Sequence, residues 1–369
     1  MINDEPFLKP KVLLFTKQLD IDPTGGRELL CKLHHEVLKE IYGEQLVLFE
    51  LPRRTMRGMS SILGAFKGHI DGLEETIIVK ALQVIHCEKI VRVFVDGSNL
   101  GAFARRLKKR LPYVSVTTFF HNVEARFFLG SFHQHKTFRA LAVLFFNYLA
   151  ERRAVKYSDK LICMSQRDSD LLQKVYGRAA SHLSPMALQD KMPINFDQCD
   201  KPQVEKFALF VGGIFYANRA GINWFVKHVV PRINIKICIV GRGFESLKEE
   251  LESEGKVQVI GAVDNLAVWY RDAHFVIAPI FDGSGMKTKV AEALMFGKKI
   301  VGTPEAFSGY EDIVRRAGWC CSTVDDFVAA ISCALTEIKL SFDPESRQTY
   351  EELYSQSVAK VRLEQILNE

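Results

Sequence analysis

Residues 207–303 contain five short apolar runs that predict the fold: FALFVGG (207–213), IKICIVG (235–241), VQVIG (257–261), HFVIAPI (274–280) and KKIVGT (298–303). Each run is long enough for a buried strand, and segments with helical periodicity separate the runs. Strands that alternate with helices favour a parallel, doubly wound sheet. We therefore expect one doubly wound α/β domain in this part of the chain.

The N-terminal half shows the same alternation. Its predicted strands are KVLLFT (11–16), QLVLFEL (45–51), RVFVD (92–96), VSVTTFF (114–120) and KLICMS (160–165). A polar segment with two prolines, 190–206, predicts a linker. The sequence thus predicts two Rossmann-like domains, 1–203 and 204–344, that face each other across a cleft. A further helix over 345–369 is expected to pack back on the first domain.

The composition is that of an ordinary globular protein. The 369 residues, 47% hydrophobic and 25% charged, exclude disordered and collagen-like classes. No run of 18 or more apolar residues is present, so we expect no membrane span, and the polar, acidic N-terminus does not resemble a secretory signal. The eight cysteines lack C-x-x-C spacing. We expect buried, reduced cysteines and no metal site.

The charge is unevenly distributed. Residues 1–203 hold 30 Lys and Arg against 22 Asp and Glu, a net of +8, whereas residues 204–369 hold 19 against 22, a net of −3. A basic first half could face the phosphates of nucleic acid, anionic lipid or a phosphorylated substrate. No recognised nucleic-acid-binding module accompanies the charge, so nucleic acid is the weaker alternative.

Glycines follow three strands of the second domain, at Gly212-Gly213, Gly241–Gly243 and Gly283–Gly285. Ligands of doubly wound sheets bind beyond the carboxyl ends of the strands, where glycine permits close approach of the backbone. The third glycine turn leads into a helix whose first-turn amides, with Lys287 and Lys289, would hold an anion. Glu292 lies farther along the same helix, at a distance that suits a ribose hydroxyl. These features favour a nucleotide site over a solvated Lys–Glu pair.

Several segments then resemble one enzyme family. The second domain contains LFVGGIFYANRAGINWFV, IVGRG, VQVIGAVDNLAVWYRDAHFVIAPI and KVAEALMFGKKIVGT in the family's order, and the first half contains TGG (24–26), FFHNVEARFF (119–128) and ERRAVKYSDKLICMS (151–165). Together they resemble the retaining glycosyltransferases of family 4, which have the GT-B fold. The resemblance spans nearly the whole chain.

The resemblance implies roles for individual residues. His121 matches the histidine that reaches the transferred sugar, Glu292 matches the second Glu of the family's Glu-x7-Glu motif, and Lys289 would neutralise the donor diphosphate. These three are the expected catalytic residues. The full set of expected donor-binding residues is Gly25, Gly26, Gly212, Gly213, Arg219, Arg242, Val263, Leu266, Asp282, Ser284, Gly285, Met286, Lys287, Lys289 and Glu292.

One motif position departs from the family. Ser284, eight residues before Glu292, stands where the first Glu of the motif is expected, and Asp282 is a possible substitute. The resemblance implies a UDP- or GDP-sugar donor, a glycan or lipid-linked acceptor in polysaccharide or glycolipid assembly, and a cytoplasmic protein without a metal or cofactor. The alternatives are a GT-B-fold nucleotide-sugar epimerase and a non-catalytic nucleotide-sugar-binding protein.

Basic segments suggest a second kind of contact. Residues 51–70 and 105–112 combine cations with apolar residues, and an in-plane contact with anionic membrane lipid is as plausible as a solvated helix face. The apolar pattern of 136–156 predicts a core helix instead. His34, His35, His133 and His135 are expected to be ordinary helix or loop residues. Glu124 is either an acceptor base or a partner for Arg126.

Overall fold

The computed structural model describes residues 10–53 except 22 and 24, residues 64–194 and 196, and residues 205–369 except 254. The chain forms two compact units. The first comprises Met1–Ser184 and Ala359–Glu369, and the second comprises Pro185–Val358.

The first unit is a six-stranded sheet with the strand order β2-β1-β3-β4-β5-β6, and every recorded strand pair is parallel. Because each strand returns through a helix, the helices cover the faces of the sheet. The strands are β1 (Val12–Lys17), β2 (Leu46–Leu51), β3 (Arg92–Asp96), β4 (Ser115–Phe120), β5 (Lys160–Cys163) and β6 (His182–Leu183); the helices are α1 (Gly26–Tyr42), α2 (Glu75–Cys87), α3 (Gly101–Arg110), α4 (Glu124–His135), α5 (Phe138–Tyr157) and α6 (Gln166–Tyr176).

The second unit holds another six-stranded parallel sheet, in the order β12-β11-β10-β7-β8-β9. Its strands are β7 (Phe207–Val211), β8 (Lys236–Val240), β9 (Val257–Gly261), β10 (Phe275–Ala278), β11 (Ile300–Gly302) and β12 (Gly318–Cys320). Its helices are α7 (Tyr216–His228), α8 (Lys248–Leu251), α9 (Leu266–Asp272), α10 (Thr288–Met295), α11 (Val314–Ala317), α12 (Val324–Glu337) and α13 (Pro344–Leu353), and α14 (Gln356–Asn368) passes back into the first unit.

Continuous apolar runs form the centre of each sheet, as expected for strands covered on both faces. All five residues of β7 and all four of β10 are buried. Every strand predicted from the sequence is present, which confirms the doubly wound fold in both units. The sequence did not predict the short strands β6 and β12, which pair at the edges of the two sheets.

Three predicted elements differ from the structure. The helix expected over 345–369 is two helices, α13 and α14, that are interrupted at Tyr354 and Ser355. The segment 244–253, one of the stretches with helical periodicity that separate the predicted strands, is a 3-10 turn followed by the single helical turn α8. The core helix predicted over 136–156 is present as α5, but only Ala150, Glu151, Ala154 and Val155 of it are buried.

The cysteines fit the prediction in part. All seven described cysteines are free thiols; Cys31, Cys163, Cys238 and Cys321 are buried, whereas Cys87, Cys320 and Cys333 are exposed. No described helix combines the length and the apolar composition that crossing a bilayer requires.

A buried carboxyl group joins the helices of the first unit. Glu151 of α5 is fully buried, and its two oxygens accept hydrogen bonds from the amides of Glu124 and Ala125, at 3.0 and 3.2 Å, at the start of α4. The hydroxyl of Tyr176 donates a third bond at 2.7 Å. Burial, together with the nearby Glu124 carboxylate, raises the pKa of Glu151 to about 7.

This shift predicts how stability depends on pH. The folded chain holds the Glu151 proton up to a pKa of about 7, whereas an unfolded glutamate releases it near 4.5. The contribution of Glu151 to the free energy of unfolding is therefore largest below pH 4.5 and declines by about 3 kcal/mol as the pH rises to 7. Chemical denaturation between these pH values measures how steeply the free energy of unfolding changes with pH. Glu151→Gln should make this slope flatter, whereas Glu44→Gln, a control at an exposed position, should leave it unchanged. An unchanged slope in Glu151→Gln would contradict the assignment.

Candidate functional site

The order of the second sheet reverses between β7 and β10, because the chain proceeds from β7 to β9 on one side and then crosses to β10 on the other. Two loops leave the sheet at this point: residues 212–215, which lead into α7, and residues 279–287, which lead into α10. Such a reversal opens a crevice at the carboxyl ends of the strands, where doubly wound sheets bind ligands. Two of the three predicted glycine turns, Gly212-Gly213 and Gly283–Gly285, lie there.

Lys289 joins these two loops. Its side chain is 8% exposed, and its Nζ donates a hydrogen bond of 2.8 Å to Oδ1 of Asn218 on α7. The Nδ2 of Asn218 in turn donates to the carbonyl of Gly213 at 2.7 Å. The amine also lies 4.2 Å from the centre of the Phe210 ring, within the range of a cation–π contact. A buried cation therefore lies directly beneath the first glycine turn.

Burial lowers the pKa of Lys289 to about 7. Lys287 contributes to this shift and Glu292 opposes it, since nearby like charge disfavours the protonated amine and opposite charge favours it. No described carboxylate forms a salt bridge with the Lys289 amine. An anion bound at the crevice would supply the missing counter-charge.

Gly212 lets the backbone approach this amine. Its φ is +155°, and a Cβ built at this position would lie 2.7 Å from Asn218 Nδ2 and 3.2 Å from Lys289 Nζ. A side chain would thus fill the space in front of both polar atoms. The neighbouring turn packs as tightly, because a Cβ at Gly241 would lie 1.9 Å from the Gly212 carbonyl oxygen.

The loop into α10 is fixed by polar contacts of its own. Asp282 Oδ1 accepts the Gly283 amide at 2.8 Å. Lys287 Nζ donates to the Gly285 carbonyl at 2.7 Å and pairs with Glu305 at 2.9 Å. The Lys287 charge is therefore already neutralised, whereas the sequence assigned it to a diphosphate. The Tyr310 hydroxyl donates to the Lys287 carbonyl at 3.1 Å and fixes the first turn of α10.

Glu292 lies one helical turn beyond Lys289 on α10. The hydroxyl of Tyr270 donates to its Oε2 at 3.2 Å. Desolvation raises the pKa of Glu292, although the Tyr270 hydrogen bond and the nearby cations act in the opposite direction. Only part of the side chain is accessible to solvent. Its orientation is set by a tyrosine that the sequence prediction did not name.

The remaining donor-binding candidates of this unit differ in their environments. Arg219 is half exposed and lies 3.7 Å from Glu250, and Arg242 is exposed. Val263, Leu266 and Ser284 are partly buried. Met286 is buried, and its sulfur accepts the Met186 amide at 3.3 Å.

In the first unit, a cluster of polar side chains around Asp96 lies at the carboxyl ends of β3 and β4. His121 follows β4 directly, and its Nε2 lies 2.8 Å from Asp96 Oδ1. The same oxygen lies 2.9 Å from His34 Nδ1, and Thr16 donates to Asp96 Oδ2 at 3.1 Å. Although Asp96 is completely buried, the two imidazoles hold the pKa of its carboxyl group well below its usual range.

His121 keeps one polar atom without a partner. Its Nδ1 is buried and has no hydrogen-bond partner among the described residues. Desolvation lowers the pKa of His121 despite the Asp96 carboxylate. A neutral imidazole that donates from Nε2 to Asp96 leaves Nδ1 as an acceptor. The role that the resemblance implies for His121 stays a prediction.

The predicted glycines of the first unit begin α1. Gly25 is its N-cap residue and Gly26 its first residue, and the Gly25 amide donates to Glu28 Oε2 at 2.8 Å. The next residue, Arg27, donates to Asp71 at 3.1 Å and to Asn99 at 2.8 Å. Thr24 lies outside the described residues.

Three functional candidates were missed by the sequence analysis. Asp96 ends the predicted strand RVFVD, and the rule applied to the glycine turns would have marked this strand end as well. His34 was treated as an ordinary helix histidine, and Arg27 received no role. Glu124 is buried, and burial raises its pKa; the cation that opposes this shift most strongly is Arg27.

Among the described residues, Cys31, Asp96 and His121 form a group of potential metal ligands whose donor atoms lie within 4.8 Å of one another. Burial and the Asp96 carboxylate raise the pKa of the Cys31 thiol, which disfavours the thiolate that a metal requires. The closest pair in the group, Asp96 and His121, is already joined by a hydrogen bond. The geometry is that of a hydrogen-bonded cluster.

Comparisons with known proteins agree with this architecture. Residues 205–337 match the family model described as glycosyl transferases group 1. No curated protein matches the chain.

Similar solved structures cover nearly the whole chain. Sucrose-phosphate synthase from Thermosynechococcus elongatus is 14% identical, with 98% of each chain covered and a TM-score of 0.73. HepE of Anabaena in complex with UDP-glucose is 10% identical, with 97% of this chain and 99% of that chain covered and a TM-score of 0.67. The lipopolysaccharide outer core galactosyltransferase WaaB is 14% identical, with 96% and 99% covered and a TM-score of 0.63.

At these identities the solved structures establish the fold alone. The family model adds the activity class for residues 205–337, a segment that includes the sheet reversal between β7 and β10 together with Lys289 and Glu292. The comparisons thus confirm the GT-B fold class and support glycosyl transfer as the activity of the chain, with a group 1 glycosyl transferase domain in residues 205–337.

Proposed function

We propose that the chain is a retaining glycosyltransferase that moves a sugar from a UDP- or GDP-sugar to a glycan or lipid-linked acceptor in polysaccharide or glycolipid assembly. The observation that carries the proposal is the buried Lys289 amine beneath the Gly212 turn, inside the segment that matches the family model. HepE, a structural relative, is solved with UDP and with UDP-glucose, which supports this class of donor.

The donor diphosphate is proposed to lie at the start of α10. The glycosidic bond breaks as negative charge accumulates on the departing diphosphate, so groups that bind this charge lower the barrier. Lys289 would supply a buried positive charge, and the amides of Gly285 and Met286 would donate hydrogen bonds at the positive end of the helix dipole. The pairing of Lys287 with Glu305 makes Lys287 a support of the loop. Arg219 and Arg242 would add outer positive charge.

Glu292 is proposed to bind the donor ribose. A carboxylate that Tyr270 holds in place would accept hydrogen bonds from the ribose hydroxyls, and Val263 to Leu266 would contact the base. Asp282 and Ser284 are the candidates for contact with the sugar hydroxyls. Gly213 closes the turn that Asn218 holds.

The first unit is proposed to contribute the acceptor side. His121, whose orientation Asp96 fixes, would reach the transferred sugar, as the family resemblance implies. Gly25 and Gly26 would allow close approach at the start of α1. The proposed transfer uses no resident metal or cofactor, and the proposed location is the cytoplasm, at the inner face of the cell membrane.

The pKa of Lys289 gives a pH test. In the free protein its pKa is about 7, and a bound diphosphate raises it because the anion favours the protonated amine. Affinity for UDP-glucose should therefore be greatest below pH 7 and fall by up to about tenfold per pH unit above it. Calorimetry near pH 8, in buffers of different ionisation enthalpy, should record proton uptake on binding.

Lys289→Met should remove this uptake and weaken UDP-glucose binding by about tenfold or more. The control Lys248→Met replaces a lysine that is 59% exposed on a short helix and should retain both properties. If Lys289→Met binds UDP-glucose with wild-type affinity and proton uptake, the diphosphate is not at this lysine.

Glu292 can be tested by separating ribose from phosphate. Glu292→Gln replaces a charged acceptor by a neutral one, so affinity for UDP should fall by about tenfold, whereas affinity for inorganic pyrophosphate should fall less, because Glu292 acts on the phosphates only through the Lys289 pKa. The control Glu249→Gln, at an exposed position of α8, should leave both affinities at the wild-type value. Equal losses for UDP and pyrophosphate would assign Glu292 to the phosphate site and would refute ribose binding.

A further inference from the structure

The helical hairpin formed by α4 and the first part of α5 leaves much of its apolar surface uncovered. Helix α4 buries only Glu124 and Gly130. Residues 138–149 of α5 include no buried residue, and burial in this helix begins at Ala150. Residues 125–150 nevertheless contain six of the chain's 26 phenylalanines. This apolar composition led the sequence analysis to predict a core helix.

The exposed apolar residues of α5 lie on one face. Phe138 is 87% exposed, Leu141 44% and Phe145 46%, and their spacing places them along one side of the helix. Phe66, which is 53% exposed, extends this face. The centre of its ring lies 6.5 Å from that of Phe145 and 4.8 Å from that of Phe146. We call this set, with Leu129 of α4, the hairpin surface. Contiguous apolar exposure of this kind indicates an interaction site.

The charges of the hairpin identify its partner. The hairpin, residues 124–149, contains the cations Arg126, Lys136 and Arg139, and its one acidic residue, Glu124, is buried. A second copy docked through the same surface would bring these cations towards the same cations in its partner, since a two-fold interface pairs identical patches. A partner surface that is both apolar and anionic would cover the exposed apolar residues and neutralise these cations. Anionic lipid membranes have this chemistry, with negative headgroups above an acyl layer.

The sequence suggested two segments for lipid contact: 51–70, which includes Phe66 of the hairpin surface, and 105–112. Residues 54–63 lie outside the described residues. In 105–112, Arg106 pairs with Glu75 and Lys108 pairs with Asp159 at 3.0 Å, so part of the positive charge is already compensated. No large apolar residue of α3 is exposed, because Phe103 and Leu107 are buried.

We propose that the hairpin surface docks the chain on anionic lipid membranes, with Phe138, Leu141 and Phe145 inserted at the headgroup boundary. Lys136 and Arg139, which are both exposed, contact the negative headgroups. This docking deepens the proposed function, because it brings the enzyme to a lipid-linked acceptor. It does not require a bound donor or acceptor.

Vesicle sedimentation of the full chain tests the proposal. The wild-type chain should bind vesicles of phosphatidylcholine mixed equally with phosphatidylglycerol, and added salt should weaken binding because it screens the charges. Phe138→Ser/Leu141→Ser should reduce binding by about tenfold or more. Lys136→Glu/Arg139→Glu should reduce it by roughly tenfold as well, without removing apolar surface. All four positions are exposed, so each variant should fold as the wild type does.

The matched control is Ile21→Ser/Leu340→Ser, which removes two apolar residues that are 86% and 76% exposed elsewhere, and it should bind vesicles as the wild type does. Docking is refuted if the wild type fails to bind these vesicles, or if the Phe138/Leu141 variant binds them equally well. A wild-type dimer that this variant dissociates would assign the surface to a second copy. UDP-glucose calorimetry on the same preparations reports donor binding separately, so failed docking is distinguishable from a failed function.

Discussion

A buried lysine amine needs hydrogen bonds and an opposite charge, and this requirement organises the second unit. Lys289 has one side-chain hydrogen bond, to Asn218, and rests against the Phe210 ring. The bond ties the loop after β7 to the helix after β10, and it therefore fixes the two sides of the crevice where the strand order reverses. Burial lowers the pKa of the amine to about 7. This arrangement fits the diphosphate site proposed above, because a bound anion would supply the counter-charge that the amine lacks.

The first unit meets the same physical problem with opposite charges. Asp96 is a buried carboxylate, and Thr16, His34 and His121 surround its two oxygens. Three partners make the buried charge tolerable, because a carboxylate without hydrogen bonds would be costly in this environment. One consequence is the fixed orientation of His121, whose Nδ1 remains without a described partner. In both units a buried ionisable side chain lies at the carboxyl end of the sheet: Asp96 orients His121 in the first unit, and Lys289 holds Asn218 in the second.

The sequence predicted most of the fold because the strands are buried on both faces. Runs such as FALFV and FVIA contain no polar residue, and their positions in the chain are therefore unambiguous. The strand-end rule pointed to the Gly212 turn and to the glycine loop that leads to Lys289 and Glu292, and the family resemblance added His121; their roles stay predictions. The strand-end rule was not applied to Asp96, and it does not predict contacts between residues that are distant in the sequence. The pairing of Lys287 with Glu305 and the support of Glu292 by Tyr270 arise only in the folded chain. Helix α5 was assigned to the core because apolar content alone does not show which face is covered.

The central claim is that a nucleoside diphosphate binds at the reversal between β7 and β10 with its phosphates beside Lys289. A crystal structure of the chain with UDP tests it most directly. The account predicts the diphosphate within hydrogen-bond distance of Lys289 Nζ and the amides that begin α10, with the ribose at Glu292. A diphosphate bound away from this crevice, or a crevice that stays empty at saturating UDP, would contradict the account.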